Sequence, residues 1–157
     1  PTAPVLVSQT GGSLTVSWTA PSDAGGVALT GYDLLVADYV DDAVVEESWR
    51  LVYATPNGVL TTSHTTYRLP ADTPFAFAAV ARNLNFANGE RSDASVLQTA
   101  TATQPGKPRH LSAVSATGGA VVVSLAPPLD IGGTAHTGYK LWLRATTPSS
   151  QPWGLWA

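Results

Sequence analysis

The sequence predicts an all-β chain built from a repeated two-sheet sandwich. A block running from Ser13 to Tyr32 returns 107 residues later without a gap. Pro21 falls on Pro128, Asp23 on Asp130, Gly25-Gly26 on Gly132-Gly133, and Thr30-Gly31-Tyr32 on Thr137-Gly138-Tyr139. Apolar residues elsewhere alternate with polar ones at the two-residue period of a strand, and no stretch keeps the period of a helix. Clusters of Gly, Pro, Asn and Asp separate these stretches, as turns between strands require. A 107-residue period in a 157-residue chain gives one complete unit, residues 1–103, and the first part of a second, residues 104–157.

Pro1 and Pro4 suit the start of an edge strand, where one row of amides needs no partner. Val5 to Gln9 reads as strand A, and Gly11-Gly12 as a turn. Leu14, Val16 and Trp18 then put three large apolar groups on one face of strand B. Pro21 to Gly26 is a loop. Strand C follows, with Tyr32, Leu34 and Val36 on the core face and Asp33, Leu35 and Ala37 opposite. Asp38 to Glu47 reads as a long acidic connection, and Trp49, Leu51 and Tyr53 as the core face of strand C′. Pro56-Asn57-Gly58 reverses the chain, because proline presets φ while Asn and Gly tolerate positive φ.

Thr62 to Leu69, rich in β-branched residues, is strand E. Phe75, Phe77, Ala79 and Ala81 form the core face of strand F, Asn83 to Gly89 a loop ending in an Asn-Gly turn, and Ser92 to Thr101 strand G. Seven short strands in one unit match an immunoglobulin-like sandwich. The joint through Pro105 and Pro108 is short, and restricts the angle between units more than a Gly/Ser linker would. Strands A, B and C recur as Leu111 to Ala116, Val121 to Leu125 and Tyr139 to Leu143, and Trp153 to Trp156 resembles the start of C′. Strands E, F and G have no second copy, so residues 104–157 are expected not to fold alone.

The ordered pattern Pro1-x-x-Pro4, Leu14-x-Val16-x-Trp18-x-x-Pro21, Asp23-x-Gly25-Gly26, Gly31-Tyr32-x-Leu34, Trp49 and Thr73-x-Phe75-x-Phe77-x-Ala79-x-Ala81-x-Asn83 resembles the fibronectin type III domain. The resemblance covers essentially the whole chain and implies tandem domains of that kind. Two departures stand out. The family's tyrosine before strand F is Phe75 here, which cannot donate the bond that braces the E–F corner, so that corner is expected to be held by packing alone. In the second unit the strand B tryptophan is Leu125, and Trp142 or Trp153 is a candidate to refill its volume.

Charged residues make up 12% of the chain and hydrophobic ones 44%, which supports a packed core. No apolar run approaches the length of a bilayer-spanning helix, so membrane insertion is not expected. Cysteine is absent, which removes disulfides and thiolate metal sites and leaves the compartment unread. The start at Pro1 without a leader reads as an excerpt from a larger polypeptide. Residues 1–103 hold ten carboxylates against Arg50, Arg68, Arg82 and Arg91; the remainder holds Asp130 against Lys107, Arg109, Lys140 and Arg144. This division favours head-to-tail attraction at close range, within about 8 Å at physiological salt. No basic cluster suits nucleic acid.

The search for chemistry yields no enzyme signature and no cofactor site. His64, His110 and His136 have no nucleophile or carboxylate at catalytic spacing and read as surface or turn residues. The paired glycines lie between strands, without the helix that a phosphate cradle needs. Asp38, Asp41, Asp42, Glu46 and Glu47 could supply oxygens to calcium, but their spacing is not an EF-hand, and they read as a solvated loop. Metal and cofactor sites are therefore predicted to be none.

In strand C of the second unit, alternation turns Lys140, Trp142 and Arg144 outward, a tryptophan between two cations that suits either a protein contact or packing under residues beyond Ala157 or against a neighbouring domain. The resemblance adds the loops with which such domains often bind ligands, here Pro21 to Val27 and Asn83 to Arg91. The second contains the candidate contact residues Asn88, Gly89, Glu90 and Arg91; neither contains Arg-Gly-Asp. Thr61 to Thr66 and Thr146 to Ser150 are candidate sites for O-linked glycans, and no Asn-x-Ser/Thr sequon occurs. The expected function is a non-catalytic structural and protein-binding segment, cell-adhesive or scaffolding. Its partners would be other proteins or neighbouring repeats, and its parent a large modular protein, extracellular or filament-forming. The alternatives are a repeat of an intracellular muscle-type or ciliary scaffold, or the accessory spacer of a secreted carbohydrate-active enzyme.

Overall fold

The computed structural model describes residues 1–86 and 89–144, together with the backbone of 154–156. The described residues are all β apart from one 3₁₀ turn at Glu46–Ser48. The strands are β1 (Val5–Gln9), β2 (Ser13–Ser17), β3 (Leu29–Val40), β4 (Ala43–Val44), β5 (Arg50–Ala54), β6 (Ser63–Tyr67), β7 (Pro74–Asn83) and β8 (Ser95–Gln98). They are followed by β9 (Arg109–Thr117), β10 (Ala120–Ala126), β11 (Leu141–Leu143) and β12 (Gly154–Trp156).

Strands β1 to β8 form a sandwich. One sheet runs β1-β2-β6; the other runs β4-β3-β7-β8, with β5 also paired to β3. The predicted core faces meet between them: Leu14, Val16 and Trp18 from β2 and the residue after it, Tyr32, Leu34 and Val36 from β3, and Phe75, Phe77 and Ala79 from β7. Trp18 is only 3% exposed and meets Tyr32 edge-on at 5.9 Å between ring centroids. Alternation along β2, β3 and β7 thus delivers one face of each strand to a common core, the largest stabilising contribution in a domain of this size.

The acidic connection is more ordered than the sequence reading. Strand β3 runs on to Val40 and pairs with β4 through Val40↔Ala43, leaving Asp41 and Asp42 as a two-residue hairpin turn. Both have positive φ, 51° and 60°, a conformation that Asp tolerates better than most side chains. Asp38 lies within the strand and pairs with Arg50 at 2.9 Å.

Strand β5 corrects the predicted core face of C′. Its register to β3 slips between Leu34↔Tyr53 and Leu35↔Leu51, so Val52 is an extra residue in the ladder. A bulge of this kind reverses which side chains face inward. Leu51 is 56% exposed, whereas Val52 and Tyr53 pack against the core. Trp49 is drawn out of the alternation: Arg91 lies 4.3 Å above its ring and its indole N–H donates to Glu46 at 3.0 Å.

The E–F corner is also corrected. Phe75 is buried, as expected, but the corner is hydrogen-bonded as well as packed. The Thr99 hydroxyl donates to the Pro70 carbonyl at 2.7 Å and accepts the Thr73 N–H at 3.0 Å, while the Thr73 hydroxyl donates to the Ala71 carbonyl at 2.8 Å. Two threonines perform the bracing that the missing phenol cannot. Thr99→Val keeps the shape and removes the hydroxyl from the part-buried bonds to the Pro70 carbonyl and the Thr73 N–H, so it is expected to cost about 1 kcal/mol in chemical denaturation; an unchanged midpoint would return the corner to packing alone.

His64 is not the plain surface residue expected. It stacks on Tyr53 at 3.9 Å with the rings 10° from parallel, which ties β6 of one sheet to β5 of the other. Burial pushes its imidazole below the ordinary histidine range. Its contribution is complete above the unfolded value, about 6.5, and is lost as pH falls through the lowered folded value. Asp33 works in the opposite sense. Burial raises its carboxyl against the lowering effect of Arg82, so the folded state holds its proton more readily and gains stability as pH falls. Melting temperatures followed downward from pH 7.5 are expected to fall more steeply for the native chain than for His64→Gln. Parallel profiles would remove the histidine effect.

After residue 108 the chain forms two hairpins, β9–β10 and β11–β12. They coincide with the predicted second copies of strands A, B, C and the start of C′, although β11 begins at Leu141 rather than Tyr139. Leu111, Val114 and Val121 are all more than 60% exposed. Trp142, 52% exposed, does not refill the position of Leu125; it lines a cavity of about 460 Å³ with Leu125, Leu111 and Tyr139. Trp153 and the candidate glycan sites Thr146 to Ser150 lie outside the described residues.

Candidate functional site

The surface with the most specific geometry is the joint between the sandwich and the strands that follow it. Strand β2 begins just after the turn Gly11-Gly12 at one pole of the sandwich, beside the E–F corner. Onto this pole folds the loop between β10 and β11. Within the loop, Asp130 Oδ1 accepts the Gly132 N–H at 2.8 Å, and Gly132 and Gly133 take φ of 74° and 84°. That conformation suits glycine because it has no Cβ to clash.

The loop is then fixed from three sides. The Thr10 hydroxyl donates to Asp130 Oδ2 at 2.7 Å. The N–H groups of Thr103 and Ala71 donate to the Gly132 and Gly133 carbonyls at 3.0 and 3.1 Å, and the Gly106 N–H donates to the Asp130 carbonyl at 2.9 Å. Backbone meets backbone here only because four glycines face one another: a Cβ on Gly12 would lie 2.5 Å from Asp130 Oδ1 and 2.7 Å from the Gly133 nitrogen, and one on Gly11 2.6 Å from the Gly132 carbonyl oxygen. The short proline-bearing linker predicted a restricted angle between units; the hydrogen-bonded contact between this loop and the pole was not predicted.

The opposite pole carries the other candidate loops. A cavity of about 330 Å³ lies there, lined by Pro1, Asp23, Gly25, Asn83, Glu90 and Arg91. Asn83 braces both loops: its amide N–H donates to the Ala24 carbonyl at 3.0 Å, while its carbonyl oxygen accepts the Asn85 and Phe86 N–H groups at 3.0 and 2.8 Å. Of the four candidate contact residues in the second loop, Asn88 lies outside the described residues, and Gly89 and Glu90 are exposed. Arg91 is engaged, paired with Glu46 at 3.2 Å while it covers Trp49. The structure therefore gives Arg91 a role in holding the loop against the Glu46 turn.

Lys140, Trp142 and Arg144 are all exposed, with Trp142 in β11 and the two cations flanking that strand. In the Thr61 to Thr66 stretch, Thr66 is buried, the Ser63 hydroxyl donates to the Val16 carbonyl and the Thr65 hydroxyl meets that of Thr15 at 2.9 Å. Thr61 is the exposed hydroxyl-bearing residue at its start. His136 bonds the Tyr139 hydroxyl at 3.1 Å. Among the described residues, no three His, Asp or Glu side chains gather as they would around a metal ion.

No protein-family model matches the sequence. Solved structures do match the fold. A human fibronectin type III domain, the fourth of its protein, is 19% identical over 68% of this chain and 82% of its own, with a TM-score of 0.53. The sixth such domain of human fibronectin type III domain containing protein 3 is 20% identical over 68% of this chain and 89% of its own, at 0.52. Domains A168–A170 of titin are 22% identical over 64% of this chain but only 32% of that longer chain, at 0.51. The architecture, the core pattern and these neighbours together give the chain the fibronectin type III fold.

Proposed function

We propose that this chain is a non-catalytic spacer and protein-contact segment of a large modular protein, extracellular or filament-forming. In it, sandwich units are held in line at a fixed angle. The observation that carries this reading is the joint, where Asp130 and two glycines seat on the Gly11-Gly12 turn through hydrogen bonds from both the sandwich and the linker. A flexible tether needs no such contact; a spacer that transmits position does. The exposed Lys140, Trp142 and Arg144 supply a contact surface suited to an apolar group flanked by acids. A titin module from human cardiac muscle also shares the fold, and it suits a second reading, the same spacer inside an intracellular muscle-type scaffold.

The absence of cysteine makes the test direct. Dyes attached through Ser22→Cys and Ser115→Cys report the distance between the far pole of the sandwich and strand β9. The spacer reading predicts one narrow single-molecule distance distribution. A broad distribution, as from freely jointed parts, would overturn it.

A further inference from the structure

The contact at the joint has two halves, and the sequence carries each half twice. The seated half is Pro128-x-Asp130-x-Gly132-Gly133; the receiving half is Thr10-Gly11-Gly12. One period away stand Pro21-x-Asp23-x-Gly25-Gly26 and Thr117-Gly118-Gly119. The structure thus compares each half in contact with the same half alone.

The unpartnered loop already has the shape of the seated one. Asp23 Oδ1 accepts the Gly25 N–H at 2.8 Å, the same distance as between Asp130 and Gly132. Gly25 and Gly26 have φ of 74° and 76°, against 74° and 84° for Gly132 and Gly133. Burial is what differs. Gly132 is buried and Asp130 and Gly133 partly so, whereas Asp23, Gly25 and Gly26 are exposed and nothing lies within 4 Å of a Cβ placed on Gly26. On the receiving side, Gly11 and Gly12 are buried while Thr117, Gly118 and Gly119 are exposed. Asn83 holds the free loop in place through Ala24, so its form does not depend on a partner.

We infer that the Asp23-Ala24-Gly25-Gly26 loop is a docking site for the Thr-Gly-Gly turn and E–F corner of a second copy of this unit, joined in line one period upstream. The occupant is specified by the joint already present. A hydroxyl like that of Thr10 would donate to the second oxygen of Asp23, and amides like those of Ala71 and Thr103 would donate to the Gly26 and Gly25 carbonyls. Side chains larger than hydrogen at the two receiving glycines would block the approach, as they would at Gly11 and Gly12. The inference rests on the spacer reading and extends it from one joint to a repeating one.

The test is the full chain extended at its N-terminus by one further copy of residues 1–107, so that each contact recurs at the natural spacing. With the added copy isotopically labelled, exchange of its Ala71 and Thr103 amides reports the new joint; with the original segment labelled, the same amides report the existing one. The inference predicts that both joints are protected. It also predicts that Asp23→Ala in the original segment speeds exchange in the added copy at least about tenfold, the factor for one charge-assisted bond at the lower end of its range, and leaves the existing joint unchanged. Rapid exchange in the added copy beside a protected existing joint would overturn the inference and leave the spacer reading standing. Rapid exchange at both would overturn the two together.

Discussion

Trp18→Ala is expected to abolish the cooperative unfolding of the sandwich near room temperature or leave it barely folded. Trp18 fills the space between the sheets, 3% exposed, against Tyr32 and the β7 face. Truncating a buried tryptophan to alanine costs about 3–5 kcal/mol, because the lost transfer energy is joined by the cost of the cavity left behind. Small domains hold only about 5–15 kcal/mol in total. Among the described residues the indole N–H has no hydrogen-bond partner, so the ring contributes by volume rather than by its polar atom. Trp18→Phe is therefore expected to cost clearly less than Trp18→Ala in the same urea titration. Equal losses would mean that the N–H matters, and an unchanged midpoint for alanine would remove Trp18 from the core.

Gly12→Ala is expected to release the joint while the sandwich stays folded. The three atoms nearest to a Cβ at Gly12 all belong to the docked loop: Asp130 Oδ1 at 2.5 Å, the Gly133 nitrogen at 2.7 Å and the Gly132 nitrogen at 2.8 Å. Two of the three are backbone atoms, which cannot rotate aside, so the loop must move away as a body. With it goes the Thr10 bond to Asp130, a hydrogen bond to a charged group worth about 1.5–3 kcal/mol. Loss of the Gly132 and Gly133 carbonyls should expose the Thr103 and Ala71 amides to exchange. Urea unfolding of the sandwich should stay a single cooperative transition, because the core is untouched, and lose about 1.5–3 kcal/mol, the docking energy that the folded pole no longer gains. If Thr103 and Ala71 stay protected in Gly12→Ala, the loop tolerates the methyl group and the geometry at this turn is not what holds the joint.

The sandwich was legible where its strands place their large apolar side chains on a single face. Alternation at Leu14, Val16 and Trp18, at Tyr32, Leu34 and Val36, and at Phe75 and Phe77 follows directly from a pleated strand with one face on a core. Alternation fails where the ladder itself is irregular. Nothing in Trp49-Arg50-Leu51-Val52-Tyr53 announces the bulge that sends Leu51 outward and brings Val52 in, because a bulge is set by the partner strand's register. The Asp41-Asp42 turn was hidden for a related reason: in a row of acids, two that carry a tight hairpin look like two more solvated charges. Their position between Val40 and Ala43 was the available signal.

The corner and the joint depend on contacts between segments far apart in sequence. Thr99 reaches back 29 residues to Pro70, and Thr10 forward 120 residues to Asp130. No local pattern encodes either. The paired glycines were read as turns, which they are; their second property, letting two backbones touch, becomes visible only when both turns are placed together. The recurrence of Thr-Gly-Gly with Asp-x-Gly-Gly at one period was the clue in the sequence, since it repeats both halves of the contact together.

The central claim is that the sandwich and the strands after it move as one body through the Asp130 contact. Residual dipolar couplings of backbone amides in a weakly aligned sample test this most directly. Couplings from β2, β3 and β7 and from β9 and β10 should fit a single alignment tensor with the orientation of this structure, and Asp130→Ala should split them into two tensors of different magnitude. Two independent tensors in the unaltered chain would contradict it.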